Sequence, residues 1–337
     1  MVVVHGKDKR TVNSSVVFSD GGFSYRLETE WAQWPDELKG VHVLSGMCDQ
    51  ADNLYVATEN PDHPIVQFAP DGKISRSLGK GLFVKAHDLF LTENNTILCA
   101  DTGDNVHVVR EITFDGKLVR DFGEYGKAGN SSFDPFYLDK LKAEGKEPRW
   151  PNWQLWPYFY ASLETIKGAG KPFTIPCAAA VSKKGEMFVA DGYGNCSVHK
   201  FSADGQLLKT WGEPGYDPCQ FWLPHGIWID KRDRVWVADR ENSRAQVFTT
   251  DGELLAIVAG NLYGVADIWS NEDHIYLGEL YGGVTILDME LKIVAQIGYH
   301  HSQLHVHGLC GNSRGDLYLQ TNIHNSNFSN LLKLTRL

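Results

Sequence analysis

No apolar run in the chain approaches the ~20 residues that a membrane-spanning helix needs, so no stretch reads as a helical anchor. The opening MVVVHGKDKR lacks the apolar core of a secretory signal. Cysteine is scarce and scattered; the six residues include no CxxC pair and no dense framework, which predicts reduced thiols and a cytoplasmic protein. Basic residues are in deficit, with 32 Lys and Arg against 42 Asp and Glu, a formal charge of −10. That balance argues against nucleic acid or an anionic membrane as partner, since both reward basic patches. A small-molecule partner is expected instead, and composition does not set the oligomeric state.

What the chain does have is a repeat. Five segments share an apolar residue, an acidic turn and a short apolar run closed by glycine: FAPDGKISRSLG, FDGKLVRDFG, FSADGQLLKTWG, FTTDGELLAIVAG and LDMELKIVAQIG. Asp-Gly between alternating apolar residues is a strong hairpin signal, because glycine tolerates the positive φ of the turn. The turn aspartates Asp71, Asp115, Asp204 and Asp251 are 44, 89 and 47 residues apart, the 89 being one period plus an insertion. Repeats of ~40 to 50 residues built from short strands specify propeller blades. The 337 residues therefore read as one all-β domain, a six-bladed β-propeller with blades starting near Val41, Lys85, Thr174, Pro224, Leu262 and His305. The last blade ends at KLTRL without room for a fourth strand, so the N-terminal FSYRLETEW is expected to supply it and close the ring.

Three histidines keep step with this repeat. His87, His225 and His307 each stand thirteen residues before the same point of the second strand, at Ala100, Ala238 and Gln320. They fall in blades two, four and six, while the matching positions of the odd blades carry about Leu44, Cys177 and Val265. Alternation around a ring of six is a three-fold arrangement about the central channel. Three neutral imidazoles with an open fourth position suit a catalytic divalent metal, zinc above all, because the open position takes water or a substrate oxygen. His305 precedes His307 by two residues on an extended segment and so points the same way, into the channel entrance. The other histidines, His199 among them, read as mostly solvated, and Cys177 reads as a small packing residue.

One stretch breaks the repeat. Residues 125–172 form an insertion between blades two and three, with a charged segment, YLDKLKAEGKEPRW, that suits a short helix, and then PNWQLWPYFYASL. So many aromatic residues read either as a satellite cluster over one blade or as a lid on the channel mouth, with Trp153, Trp156 and Tyr158 as substrate contacts.

VADGYGNCSVHKFSADGQLLKTWGEPG and FWLPHGIWIDKRDRVWVADRENSRAQVF closely resemble peptidyl-α-hydroxyglycine α-amidating lyases, which are six-bladed NHL-repeat propellers. The similarity is dense over roughly residues 174 to 250 and thinner over 40 to 122 and 300 to 337. The resemblance implies a catalytic zinc on His87, His225 and His307, a tyrosine acting on the substrate hydroxyl at Tyr193, and an active-site arginine at Arg240. It also exposes departures. The family's second arginine, which binds the substrate carboxylate, falls near Glu59 and Asn60. The aspartate that helps hold a structural calcium after the third histidine is Gly308, with Asp88 after the first histidine instead, which puts calcium in doubt. The family's disulfide positions fall at Trp236 and Val247, and near Thr174 and Gly194.

Together these features predict a metal-dependent lyase that cleaves at a carbon bearing a hydroxyl, as when a carbinolamide collapses to an amide and an aldehyde, on a neutral, apolar substrate. A metal-dependent hydrolase of a lactone, amide or ester is the first alternative. A non-enzymatic NHL-type platform that docks a protein is the second.

Overall fold

The computed structural model describes residues 16–147, 157–299, 301, 304–321 and 330–337. Six antiparallel sheets stand around a central channel, as the repeat predicts. Their inner strands are Val43–Cys48, Ala86–Leu91, Ala178–Val181, Pro224–Ile229, Val265–Ser270 and Val306–Gly311. Second strands such as Leu54–Thr58 and Val235–Asp239 are buried along their whole length. They face a neighbouring blade on each side, which is why they read as unbroken apolar runs rather than alternating ones. The spaces between blades are filled accordingly; Trp236, Ala245 and Val247 of blade four pack with Val265, Ile268 and Leu277 of blade five.

Two local devices recur. Each Asp-Gly turn places its glycine in the left-handed region, with φ of 83° at Gly72, 81° at Gly116, 93° at Gly205 and 75° at Gly252, followed by a bulge in the ladder. Blade five has no glycine there, and Leu291 takes the same conformation at φ 68°. At the opposite end of the second strand an acidic residue turns back onto the incoming chain. Asp101 accepts the backbone N–H groups of Val84 and Lys85, Asp191 those of Thr174 and Ile175, and Asp239 that of Trp222. These carboxylates anchor the residues that lead into the inner strand, and so set where the channel-facing side chains begin.

The ring closes as expected. Phe23–Glu28 pairs with the C-terminal strand Leu331–Arg336 in blade six, with Leu27 opposite Leu334, and Val17–Asp20 adds a fifth strand outside it. The histidine expectation fails at His199, which is fully buried because its ring hydrogen-bonds Thr210 and Asp191 behind the blade-three turn. Among the described residues no helix is long and apolar enough to cross a membrane.

Closure makes blade six depend on a residue near the other end of the chain. Leu27 is 0% exposed and sits in the cluster shared by blades five and six. Leu27→Ala should lower the unfolding free energy by about 2–5 kcal/mol in urea denaturation. A loss below about 1 kcal/mol, the scale of an ordinary surface change, would mean that the strand is not part of the cooperative core.

Candidate metal centre in the channel

Each of the three histidines sits at an irregularity of its own sheet. The pairing of inner with second strand slips between Ala86 and Asp88, between Pro224 and Ile227, and between Val306 and Gly308. A bulged residue leaves the ladder and its side chain can be re-aimed; here it turns into the channel. Blades one and five slip in the same place, between Val43 and Ser45 and between Val265 and Asp267. The odd-blade counterparts are therefore Leu44, Cys177 and Ala266, the last one residue beyond the expected Val265.

The odd blades present backbone carbonyls to the histidines of the even ones. His87 Nδ1 donates to the Cys177 carbonyl, His225 Nδ1 to that of Ala266 and His307 Nδ1 to that of Leu44, each at 2.8 Å. Every ring thus bonds to the next blade around the channel. The glycines after two of the histidines follow from this: a Cβ at Gly226 would lie 2.7 Å from the Ala266 carbonyl oxygen and one at Gly308 2.5 Å from that of Leu44. The His-Gly pairs of blades four and six are thus a packing requirement that the sequence displayed and that sequence reasoning passed over.

With Nδ1 committed as donor in all three rings, each Nε2 is a bare lone pair, and the three ligand atoms lie within 4.8 Å of one another. The rings are 2%, 3% and 4% exposed. Burial pushes His87 down to about 3 and holds His225 and His307 well below the usual imidazole range. The phenol of half-buried Tyr193 stands among them, 3.0 Å from His87 Nε2, 2.9 Å from His225 Nε2 and 3.4 Å from His307 Nε2. One hydroxyl proton serves one lone pair, so two inward-facing acceptors lack a donor, an arrangement that a cation satisfies and a proton does not. The donor set, three neutral imidazoles with Nδ1 hydrogen-bonded outside, fits zinc or a similar transition ion.

Arg240 is also brought here, at 5% exposure, with its guanidinium carbon 5.7 Å from the centre of the Tyr193 ring. Its Nε donates to Glu241 Oε1 at 2.9 Å, so its charge is balanced by its own neighbour. Burial raises the Tyr193 pKa well above the usual phenol value; the nearby charge of Arg240 opposes this without reversing it.

The insertion reaches the site through its second helix. Helix α1 covers Tyr137–Ala143 and α2 covers Pro157–Leu163. From α2 the Phe159 ring meets the Tyr193 ring edge-on at 5.3 Å, and the Tyr160 phenol donates to Glu241 Oε1 at 3.2 Å. Tyr158 turns the other way, 48% exposed, with its phenol oxygen accepting from Lys142 Nζ of α1. Trp153 and Trp156 lie outside the described residues. Three consecutive aromatic residues on a helix advance ~100° each, so only the helical phase, which the sequence hid, decides which of them faces the channel.

Of the remaining predicted residues, His305 is half-buried, with Nδ1 donating to the Leu280 carbonyl of blade five at 3.0 Å. Glu59, where the resemblance expects a cation, is a carboxylate held down at about 2 by His42 and, against its burial, by Lys85. Next to the imidazoles in the channel, Asp88 accepts from the Ser45 hydroxyl and the Ala179 N–H, and Asp267 from the N–H groups of Ile268 and Leu309. Burial pushes Asp88 up to about 7, and burial followed by the charge of Asp88 raises Asp267 further. Both carboxyls accept hydrogen bonds from neighbouring groups, and Gly308 offers no side-chain oxygen where the resemblance expects one.

The lowered imidazole pKa values have a checkable sign. Burial disfavours imidazolium, so in metal-free protein the three rings should stay neutral from pH 8 to pH 5, with the proton on Nδ1, in two-bond proton–nitrogen NMR spectra. A titration midpoint near the ordinary value of about 6.5 in any of the three would contradict the buried, carbonyl-bound geometry.

The NHL repeat model matches residues 221–248. NHL repeat-containing protein 3 of Homo sapiens is 28% identical over 240 residues, 68% of this chain and 58% of the relative's length. Peptidyl-alpha-hydroxyglycine alpha-amidating lyase 1 of Drosophila melanogaster is 38% identical over 90 residues, 24% of this chain and 17% of that protein. The chain thus spans little more than half of the first relative and a smaller part of the second. A gluconolactonase from Xanthomonas campestris shares the fold at a TM-score of 0.60 and 11% identity, over 93% of this chain and 90% of that one. The chain is a six-bladed β-propeller that carries an NHL repeat.

Proposed function

We propose that this protein is a metal-dependent lyase, with zinc held by His87, His225 and His307, acting on a neutral small molecule at a carbon that bears a hydroxyl. The observation that carries the proposal is the convergence of three Nε2 lone pairs on the Tyr193 phenol. A zinc ion bound there would polarise a substrate oxygen and ease loss of its proton.

The chain's own groups supply the rest. Collapse of a carbinolamide moves one proton off the hydroxyl as the C=O forms and one onto the departing nitrogen. Tyr193, kept protonated by burial, is placed to give that second proton, and the phenolate so formed, stabilised by Arg240 beside it, takes up the proton that the hydroxyl loses. Phe159 and Tyr160 of α2 cover this pair and keep water from it. Glu59, ion-paired with Lys85, stands where the resemblance expects a cation for the substrate carboxylate, and the absence of a cation at that position supports a neutral ligand. A docking platform would leave the three buried imidazoles without a role. All six cysteines are free, which supports the cytoplasm as the site of action.

Tyr193→Phe tests the assignment with little change of shape. On N-acyl-α-hydroxyglycine amides, taken as neutral carbinolamides, the variant should lose about 10²-fold or more in turnover while retaining its metal content. Wild-type turnover in the phenylalanine variant would assign Tyr193 to packing. Hydrolysis of lactones or esters without carbinolamide cleavage would move the protein to the hydrolases.

A further inference from the structure

The place that Tyr193 takes in blade three is filled by Glu241 in blade four, for each stands two residues after the acidic residue that ends the second strand, Asp191 or Asp239. In blade three that place brings a phenol onto the imidazoles; in blade four it brings a carboxylate to Arg240. The Glu241 side chain is 7% exposed, and its Oε1 accepts from Arg240 Nε at 2.9 Å and from the Tyr160 phenol at 3.2 Å. A tight turn over Arg240–Asn242 brings the two neighbours together. Its Arg240 and Glu241 N–H groups donate to the carbonyls of Leu223 and Trp222, on the segment that leads into the His225 strand. Burial works against the charge of Arg240, and neighbouring groups, Glu241 first among them, outweigh it. The bond is made at Nε, the inner nitrogen, and the guanidinium carbon then lies 5.7 Å from the centre of the Tyr193 ring. A long side chain that would otherwise sample many rotamers is thereby fixed in one. Tyr160, on the other side of Oε1, is buried in the same apolar cluster as Leu163 of α2 and Phe221 and Leu223 of blade four. Glu241 is thus gripped from blade four and from the insertion at once.

We infer that Glu241 is a positioning residue that holds the Arg240 guanidinium beside Tyr193, and that Tyr160 of the insertion holds Glu241 in turn. The insertion is then part of the reacting apparatus and not only its cover. This rests on the lyase reading, in which Arg240 stabilises the Tyr193 phenolate; no bond is made or broken at Glu241 itself. Its contribution is the placement of a charge, and a misplacement on the scale of 1 Å costs roughly 100-fold in rate at a reacting centre.

The test is a double-mutant cycle at saturating zinc, on the same N-acyl-α-hydroxyglycine amide, with zinc content and the urea midpoint measured for every variant. Glu241→Gln keeps the size and loses the charge; it should lower kcat by about 10- to 100-fold while KM moves less than about threefold. Tyr160→Phe keeps the ring and loses one hydrogen bond, and should lower kcat by about 2- to 10-fold. In an Arg240→Met background neither change should lower kcat further, because the group they act through is gone. If Glu241→Gln does not fold, Tyr160→Phe in the two backgrounds carries the same cycle. Wild-type kcat in Glu241→Gln, or the same fold loss with and without Arg240, would overturn the positioning role and leave the lyase reading intact. Wild-type kcat in Tyr160→Phe would strike the insertion from it. Failure of the wild-type protein to cleave the carbinolamide would overturn the lyase reading and this inference with it.

Discussion

The hydrogen bond from an imidazole Nδ1 to a carbonyl of the next blade is the interaction on which the site depends. It is made three times, at the same length, by His87, His225 and His307. Each bond fixes a tautomer, and with it the direction of a lone pair. Three such choices made independently would leave a mixture of donors and acceptors facing one another. Made together by backbone carbonyls, which cannot donate, they leave only acceptors in the centre. The resulting concentration of lone pairs is costly in a buried channel unless a cation occupies it.

That interaction in turn depends on the irregularity of the sheets. In regular ladders the carbonyls of Leu44 and Ala266 would be spent within their own blades. The slips beside them leave these oxygens to the neighbouring blade, and the slips at the histidines turn the rings inward. Glycine at Gly226 and Gly308 lets donor and acceptor blades approach. The propeller is thus both scaffold and ligand-orienting shell: bulge, carbonyl and imidazole form one unit repeated in alternate seams. Blade two departs from it, with Asp88 where the other two units have glycine, and its carboxyl bridges the seams to Ser45 and Ala179.

Much of this was legible in the sequence because it is periodic. Asp-Gly turns and buried second strands repeat with the blade, so the blade count, the closure by FSYRLETEW and the register of three histidines could be read without coordinates. What could not be read is aperiodic or depends on phase. The bulge that moves the blade-five counterpart from Val265 to Ala266 leaves no local signature. His199 was read as solvated because its strand position suggested a surface, whereas Asp191 and Thr210 give its ring partners in the interior. In the insertion the aromatic residues announced a covering element, but which of Tyr158, Phe159 and Tyr160 faces Tyr193 is decided by where α2 begins. The Arg240–Glu241 pairing was missed for a related reason: adjacent residues meet only where the turn bends the chain back on itself.

The central claim is that the three lone pairs hold one metal ion, and the most direct measurement is anomalous scattering at the zinc edge from crystals of protein purified without a histidine tag, with metal content measured on the same sample. The account predicts one peak per chain among His87, His225 and His307, at about 2.0–2.1 Å from each Nε2, and its loss when the three are replaced by alanine. Zinc, or another transition ion, that remains at one equivalent in the triple variant, or a wild-type protein that binds none after incubation with zinc and dialysis, would contradict it.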